Sequence, residues 1–142
     1  MAARRRIDPG EGMTALRRWA REQGPDRSTT AAAVRFTLEE LSSTAPGGSV
    51  EVRVPPFGVT QAVAGTTHRR GTPPSVVETD PSTWLALATG RTAWIEAVET
   101  GRLRASGERS DLSPYLPLVR IPSQDGDGGG TPVGPEQDNA TN

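Results

Sequence analysis

The stretch that decides the fold is TPPSVVETDPSTWLALATGRTAWIEAVETGRLRASGERSDLSPYLPL, residues 72–118. Asp80 followed by Pro81 predicts a helix start, because a side-chain acceptor and then a residue without an N–H satisfy the first turn. Gly90 and Gly101 suit the left-handed positions that end two successive helices. The stretch therefore predicts strand, helix, helix, short strand and final helix.

The rest of the chain extends this pattern to the order ααβββααβα. The close succession of the first two strands favours an antiparallel pair. Strands and helices in separate runs predict an α+β fold, in which a mainly antiparallel sheet is covered on one face by helices. The predicted elements are helices over 14–23 and 28–43, strands over 50–54, 59–64 and 75–79, a helix over 81–89, a helix capped by Thr92, a strand over 103–106, and a helix capped by Ser110 or Asp111 and ended by Pro117.

Length and composition predict one domain, residues 13–121, between a flexible N-terminus, residues 1–12, and a disordered tail, residues 122–142. The tail contains one valine as its only large apolar residue, which is too little to offset the entropy of ordering it. Residues 1–121 hold all 16 arginines and 13 of the 17 acidic residues, a net charge of +3, while the acidic tail carries −4. A charge of +3 does not argue for a nucleic-acid partner.

Several classes of chemistry are excluded by composition. The absence of cysteine removes disulfides, thiol catalysis and thiolate metal sites. One histidine, without other ligands at a recognisable spacing, predicts no metal site, and no motif predicts a cofactor. The start of the chain predicts neither a signal peptide nor an anchor, and no apolar run predicts a membrane span, so we expect a cytoplasmic protein. An all-arginine basic complement favours a GC-rich source such as an actinobacterium.

Residues 50–118 resemble the sterol carrier protein family, most specifically over 80–107. The resemblance implies a small domain around a lipid-sized apolar tunnel, with non-catalytic binding, and transfer or sequestration, of a lipid or fatty-acyl molecule. The segment from His68 to Pro74 is similar to an actinobacterial branch of that family. The residues that carry the resemblance are Asp80, Trp84, Leu87-Ala88-Thr89-Gly90, Trp94, Val98, Gly101-Arg102-Leu103 and Gly107.

One set of apolar residues could line such a tunnel, or equally could form a close-packed core with the same periodicity. A buried tryptophan needs a partner for its indole N–H, which a ligand head group, water or a carbonyl could supply. The alternative function is a closed domain without ligand that acts as a protein-interaction or regulatory module. The candidate lining residues are Val52, Val54, Phe57, Trp84, Leu87, Trp94, Val98, Leu103, Leu112, Tyr115 and Leu116.

The sequence offers few polar candidates for a site. His68, Arg69 and Arg70 could hold a lipid phosphate or carboxylate, although a solvated loop has the same composition. Asp80 precedes Pro81, so we interpret it as a helix cap rather than a catalytic carboxylate. An enzyme would need His68, Glu78 and Asp80 to converge in one cleft, and no motif indicates this.

Overall fold

The structure, a computed structural model, describes residues 5–65 and 75–122. The predicted head-group residues His68, Arg69 and Arg70, and the predicted tail beyond residue 122, lie outside the described residues. The helices and strands are, in chain order, α1 (Pro9–Arg21), α2 (Arg27–Thr44), β1 (Val50–Val54), β2 (Gly58–Ala62), β3 (Ser75–Thr79), α3 (Pro81–Ala88), α4 (Trp94–Glu99) and β4 (Leu103–Ser106), followed by a short 3-10 helix (Ser113–Tyr115).

Helix α1 begins five residues before the predicted start at Thr14. Asp8 caps it, because its carboxylate accepts a hydrogen bond from the Glu11 N–H at 3.1 Å and Pro9 follows at the first helical position. This is the same Asp-Pro signal that correctly placed the start of α3. Helix α1 packs closely on α2, and a Cβ at Gly12 would overlap the ring of Phe36.

The four strands form one sheet in the order β2-β1-β3-β4. The β1–β2 and β3–β4 pairs are antiparallel, whereas β1 and β3 are parallel. The predicted α+β class with a mainly antiparallel sheet is therefore confirmed. This order places β2 at one edge of the sheet.

The inner face of the sheet forms the core with the helices. Val50, Val52, Val54 and Val77 are fully buried. The intervening residues point to the other face, where the charged side chains are Glu51, Arg53, Glu78 and Arg104. The strands alternate apolar and polar residues because one face of the sheet packs against the helices and the opposite face is charged.

Besides the start of α1, three further predicted boundaries differ from the structure. Strand β2 ends at Ala62, because Val63 adopts a left-handed backbone with φ 70° and its N–H bonds to Ala45 instead of continuing the ladder. Helix α4 starts with Ala93 at its cap and no side-chain cap bond, so Thr92 does not serve. The final helix is reduced to the 3-10 turn, since Pro117 has no N–H to extend it, whereas Pro114 lies in the first turn, where that N–H is not used.

Candidate functional site

A groove of about 1070 Å³ lies between α2 and the edge strand β2. Its walls are one face of α2, the residues of β2, and the segment just before α1. The residues that line it are Arg6, Ile7, Ala32, Arg35, Leu38, Glu39, Ser42, Pro46, Gly47, Phe57, Gly58, Val59, Thr60 and Gln61.

The floor of the groove is apolar. Leu38 is buried at its base, and Ile7 and Phe57 are half-buried against the same core. Gly58 lies over Leu38 so closely that a Cβ added there would be 3.0 Å from Leu38 Cδ1. Glycine at this position therefore lets strand and helix approach at the bottom of the groove without filling it.

Charged groups stand at the rim. The Glu39 carboxylate accepts hydrogen bonds from the backbone N–H groups of Arg6, at 2.8 Å, and Ile7, at 3.4 Å, which fix the N-terminal segment against α2. The side chains of Arg6 and Arg35 make no hydrogen bond or ion pair within the described ranges 5–65 and 75–122. Arg6 and Arg35 are thus the two cationic residues of the lining, and the carboxylate of Glu39 beside them already accepts two hydrogen bonds.

Phe57, at the turn between β1 and β2, is the predicted lining residue that borders the groove. The Arg27 guanidinium lies 5.2 Å from the centroid of its ring, a cation–π distance. This contact joins the Phe57 ring to the first turn of α2.

Six other predicted lining residues lie in the packed core. At most 5% of each of these residues is exposed. If they lined a void large enough for a lipid, the surface of that void would raise their exposed fraction. That these residues line a tunnel stays a prediction. The six are Val52, Val54, Trp84, Leu87, Leu103 and Leu112.

The remaining four predicted lining residues lie away from the groove. Trp94, Tyr115 and Leu116 are partly buried against the core, and Val98 is 40% exposed on α4. None of the four borders the groove. Val98 shares its helix with Ile95, which is 60% exposed.

Asp80 acts as the predicted cap of α3. Its carboxylate accepts bonds from the N–H of Thr83, at 3.0 Å, and from its hydroxyl, at 2.6 Å. Burial is the largest influence on the pKa of Asp80 and would raise it, but these bonds together lower that pKa below its ordinary value of 3.8. Glu78, by contrast, lies on β3 opposite Arg53 and Arg104 of the neighbouring strands.

Most groove residues were not identified from the sequence. Ala32, Arg35, Glu39 and Ser42 share one face of α2, but their mixed polarity resembles an ordinary solvated helix face. The groove exists because β2 lies at the sheet edge beside that face, which is a tertiary relationship. Across residues 5–65 and 75–122, no group of three or more acidic or histidine side chains could hold a metal ion.

The fold and the groove define a small α+β domain with an apolar cleft at a sheet edge. A family model described as the bacterial sterol carrier protein orthologue matches residues 26–118, more than half of the chain. The chain therefore belongs to the sterol carrier protein family, as its sequence resemblance predicted. A search of curated proteins finds no match.

Family membership points to lipid binding or transfer in general terms. No helix within the described parts of the chain has the length and apolarity needed to cross a membrane. The matched range begins at Asp26, so α2, the sheet and α3 fall within it, whereas Arg6 and Ile7 do not.

Proposed function

We propose that this chain binds a lipid or other apolar small molecule non-covalently in the groove between α2 and β2. Transfer or sequestration of that molecule is the outcome of binding. The observation that carries the proposal is the groove itself, which combines a volume of about 1070 Å³ with an apolar floor in a sterol carrier protein fold. Small-molecule sites typically have about 300–1,000 Å³, so a chain-like ligand has room.

The driving force is removal of apolar surface from water. Each buried methylene contributes about 0.8 kcal/mol, so a dozen methylenes over Leu38 and Phe57 contribute about 10 kcal/mol before ordering costs are subtracted. The floor is held by the packed core beneath it, and a rigid floor lowers the cost of ordering on binding. A ligand with one hydrocarbon chain is sufficient for useful affinity.

Binding without catalysis is part of the proposal. The titratable side chains among the described lining residues are Arg6, Arg35 and Glu39, and Glu39 already accepts two backbone N–H groups. The hydroxyl of Ser42 donates to the Glu39 carbonyl of its own helix at 3.2 Å. These lining residues do not pair a nucleophile with a base, which nucleophilic catalysis requires.

Native mass spectrometry of the purified chain, followed by organic extraction, tests the proposal. We expect a bound mass that leaves on gentle activation, or one that forms after incubation with fatty acids, acyl-CoA or phospholipids. A clean unliganded mass under all these conditions would overturn the proposal in favour of the protein-interaction module.

A pair of variants on α2 locates the site. Ala32→Trp places an indole in the groove, and we expect it to weaken fatty-acid binding at least tenfold while the chain stays folded. Ser43→Trp, at an exposed position of the same helix outside the groove, is the matched control. Circular dichroism checks folding of both. Equal binding by both variants would place the ligand elsewhere, for example in a tunnel opened among the buried predicted residues.

A further inference from the structure

One wall of the groove is the free edge of β2, which a hydrocarbon chain cannot use. In a strand paired on one side only, every second residue directs its N–H and C=O away from the partner. The sheet order places no strand beyond β2 among residues 5–65 and 75–122. Within these described ranges, the outward backbone groups of β2 therefore have no strand partner and lie at the wall of the groove.

The sequence of this edge does nothing to prevent pairing. Sheet edges are commonly protected by charged side chains, prolines or bulges. Strand β2 reads Gly-Val-Thr-Gln-Ala, without a charge or a proline, and it pairs with β1 in unbroken register from Val54 opposite Gly58 to Val50 opposite Ala62. The backbone of this edge can therefore form hydrogen bonds with an extended ligand that contains amide groups.

The opposite wall runs along the edge for a matching length. Ala32 and Ser42, at the two ends of the lining face of α2, are ten residues apart, or about 15 Å along the helix axis. About four or five extended residues, or an acyl chain joined to one or two residues, have the same length. The groove is thus a slot with a strand edge on one side, a helix on the other and an apolar floor.

The charges at the rim favour an anionic end. Arg35 and Arg6 are among the lining residues, their guanidinium groups make no bond to the described residues, and Arg35 is exposed. Arginine binds a carboxylate through two parallel hydrogen bonds. Glu39, the carboxylate at the same rim, is held by backbone amides and leaves both guanidinium groups available.

We propose that the groove selects an N-acylated amino acid or N-acyl dipeptide with a free carboxylate. This rests on the proposed function and names its ligand class. The acyl chain covers Leu38 and Phe57, the amide pairs with the free edge of β2, and the carboxylate binds Arg35 or Arg6. The inference rests on the juxtaposition of the strand edge, the apolar floor and two arginines that have no ion-pair partner among the described residues. A fatty acid without an amide contacts the apolar floor and the arginines, but it forms no hydrogen bonds with the edge of β2.

Three synthetic ligands of equal acyl length test the amide contact by calorimetry with the intact chain. They are N-dodecanoyl-Ala-Ala, the same molecule with both amide nitrogens methylated, and dodecanoic acid. We expect the dipeptide to bind about tenfold more tightly than dodecanoic acid, as two added amide hydrogen bonds provide. We expect N-methylation to remove this gain, because it removes the donors and blocks strand pairing.

The outcomes separate the two proposals. If the methylated ligand binds as tightly as its parent, the strand edge is not used and the ligand class is wrong, while lipid binding stands. If dodecanoic acid binds as tightly as the dipeptide, the ligand class is again overturned. If none of the three ligands binds, the proposed function fails for ligands of this size as well.

The carboxylate contact has its own test. The double variant Arg6→Gln with Arg35→Gln should weaken N-dodecanoyl-Ala-Ala about tenfold and leave binding of its methyl ester unchanged, because only the free acid forms the ion pair. Arg17→Gln, an exposed arginine of α1 outside the groove, is the control and should change neither affinity. An equal loss for acid and ester would contradict the carboxylate contact.

Discussion

The indole nitrogen of Trp84 donates a 2.8 Å hydrogen bond to the hydroxyl oxygen of Thr37, a residue 47 positions away on a different helix. Both residues are fully buried. Thr37 in turn donates to the carbonyls of Ala33, at 2.8 Å, and Val34, at 3.0 Å. These hydrogen bonds join α3 to α2 at the centre of the core. They fix α2, the helix that forms one wall of the groove.

Thr37→Val should destabilise the chain because it leaves the Trp84 N–H buried without an acceptor. We expect a loss of about 1–3 kcal/mol in the free energy of unfolding, measured by urea denaturation. Adding Trp84→Phe to Thr37→Val should cost less than the sum of the two single changes, since both polar partners are then gone. Thr30→Val, at a half-buried position of the same helix, is the control. Strict additivity in the double variant would show that the bond contributes nothing.

Asp80→Ala should cost about 0.5–2 kcal/mol, because the first turn of α3 loses its cap. Asp80→Asn keeps an oxygen acceptor and isolates the effect of charge. The pKa of Asp80 is lowered in the folded chain, so the charge contributes stability that is complete above the unfolded value of 3.8 and is lost as the pH falls through the folded value.

The measurement is urea denaturation of wild type and Asp80→Asn between pH 7 and pH 2.5. We expect a constant difference in the free energy of unfolding above about pH 5 and a shrinking difference below pH 3.8. A difference that does not change over this range would mean that the Asp80 charge does not stabilise the fold.

Arg91 joins the end of α1 to Ile121 and Pro122, which follow the 3-10 helix. Its guanidinium donates to the carbonyls of Ala20, at 3.0 Å, Ile121, at 3.4 Å, and Pro122, at 3.2 Å, and lies 5.5 Å from the centroid of a Trp19 ring. Lysine cannot reproduce this planar fork, so Arg91→Lys should cost about 1–3 kcal/mol in thermal or urea unfolding. Arg102→Lys, at an exposed position, should be nearly neutral. Equal stability of the two variants would contradict the role of Arg91.

Gly12→Ala should destabilise the α1–α2 contact, because the added methyl overlaps the Phe36 ring. Overpacking of this kind costs about 1–3 kcal/mol, more than the gain in helix propensity from alanine. Gly10→Ala, two residues earlier on the same helix, is the comparison, because a Cβ there meets only the Asp8 carboxylate at 3.1 Å. If Gly12→Ala were more stable than wild type by differential scanning calorimetry, the close packing of α1 on α2 would be refuted.

The sequence predicted those features whose causes are local. Alternating valines placed β1 from Val50 to Val54 without error, and Asp80-Pro81 placed the start of α3. The same Asp-Pro signal is present at Asp8-Pro9, where α1 begins. It was not used in the prediction because the residues directly after it, Gly10 to Gly12, are not large and apolar. The end of β2 could not be predicted, because a valine in a left-handed conformation has no sequence signature.

The site was harder to predict than the fold. A core residue and a tunnel-lining residue have the same apolar pattern. The sequence favoured Trp84 as a lining residue because of its indole N–H, yet Trp84 is fully buried and it is Phe57 that borders the groove. Arg35 and Glu39 resembled solvated helix residues. Their position in the wall of the groove depends on which strand lies at the edge of the sheet. No local pattern in a single sequence encodes that strand order.

The N-terminal segment has a consequence for how this domain can diversify. Glu39 fixes Arg6 and Ile7 as one border of the groove, and both residues precede the range that matches the family. The width and charge of the opening are therefore set partly by a stretch that lies outside the matched residues 26–118. Under the proposed function, substitutions in the few residues before α1 change the ligand that the groove admits, while the hydrogen bond between Trp84 and Thr37 stays in place.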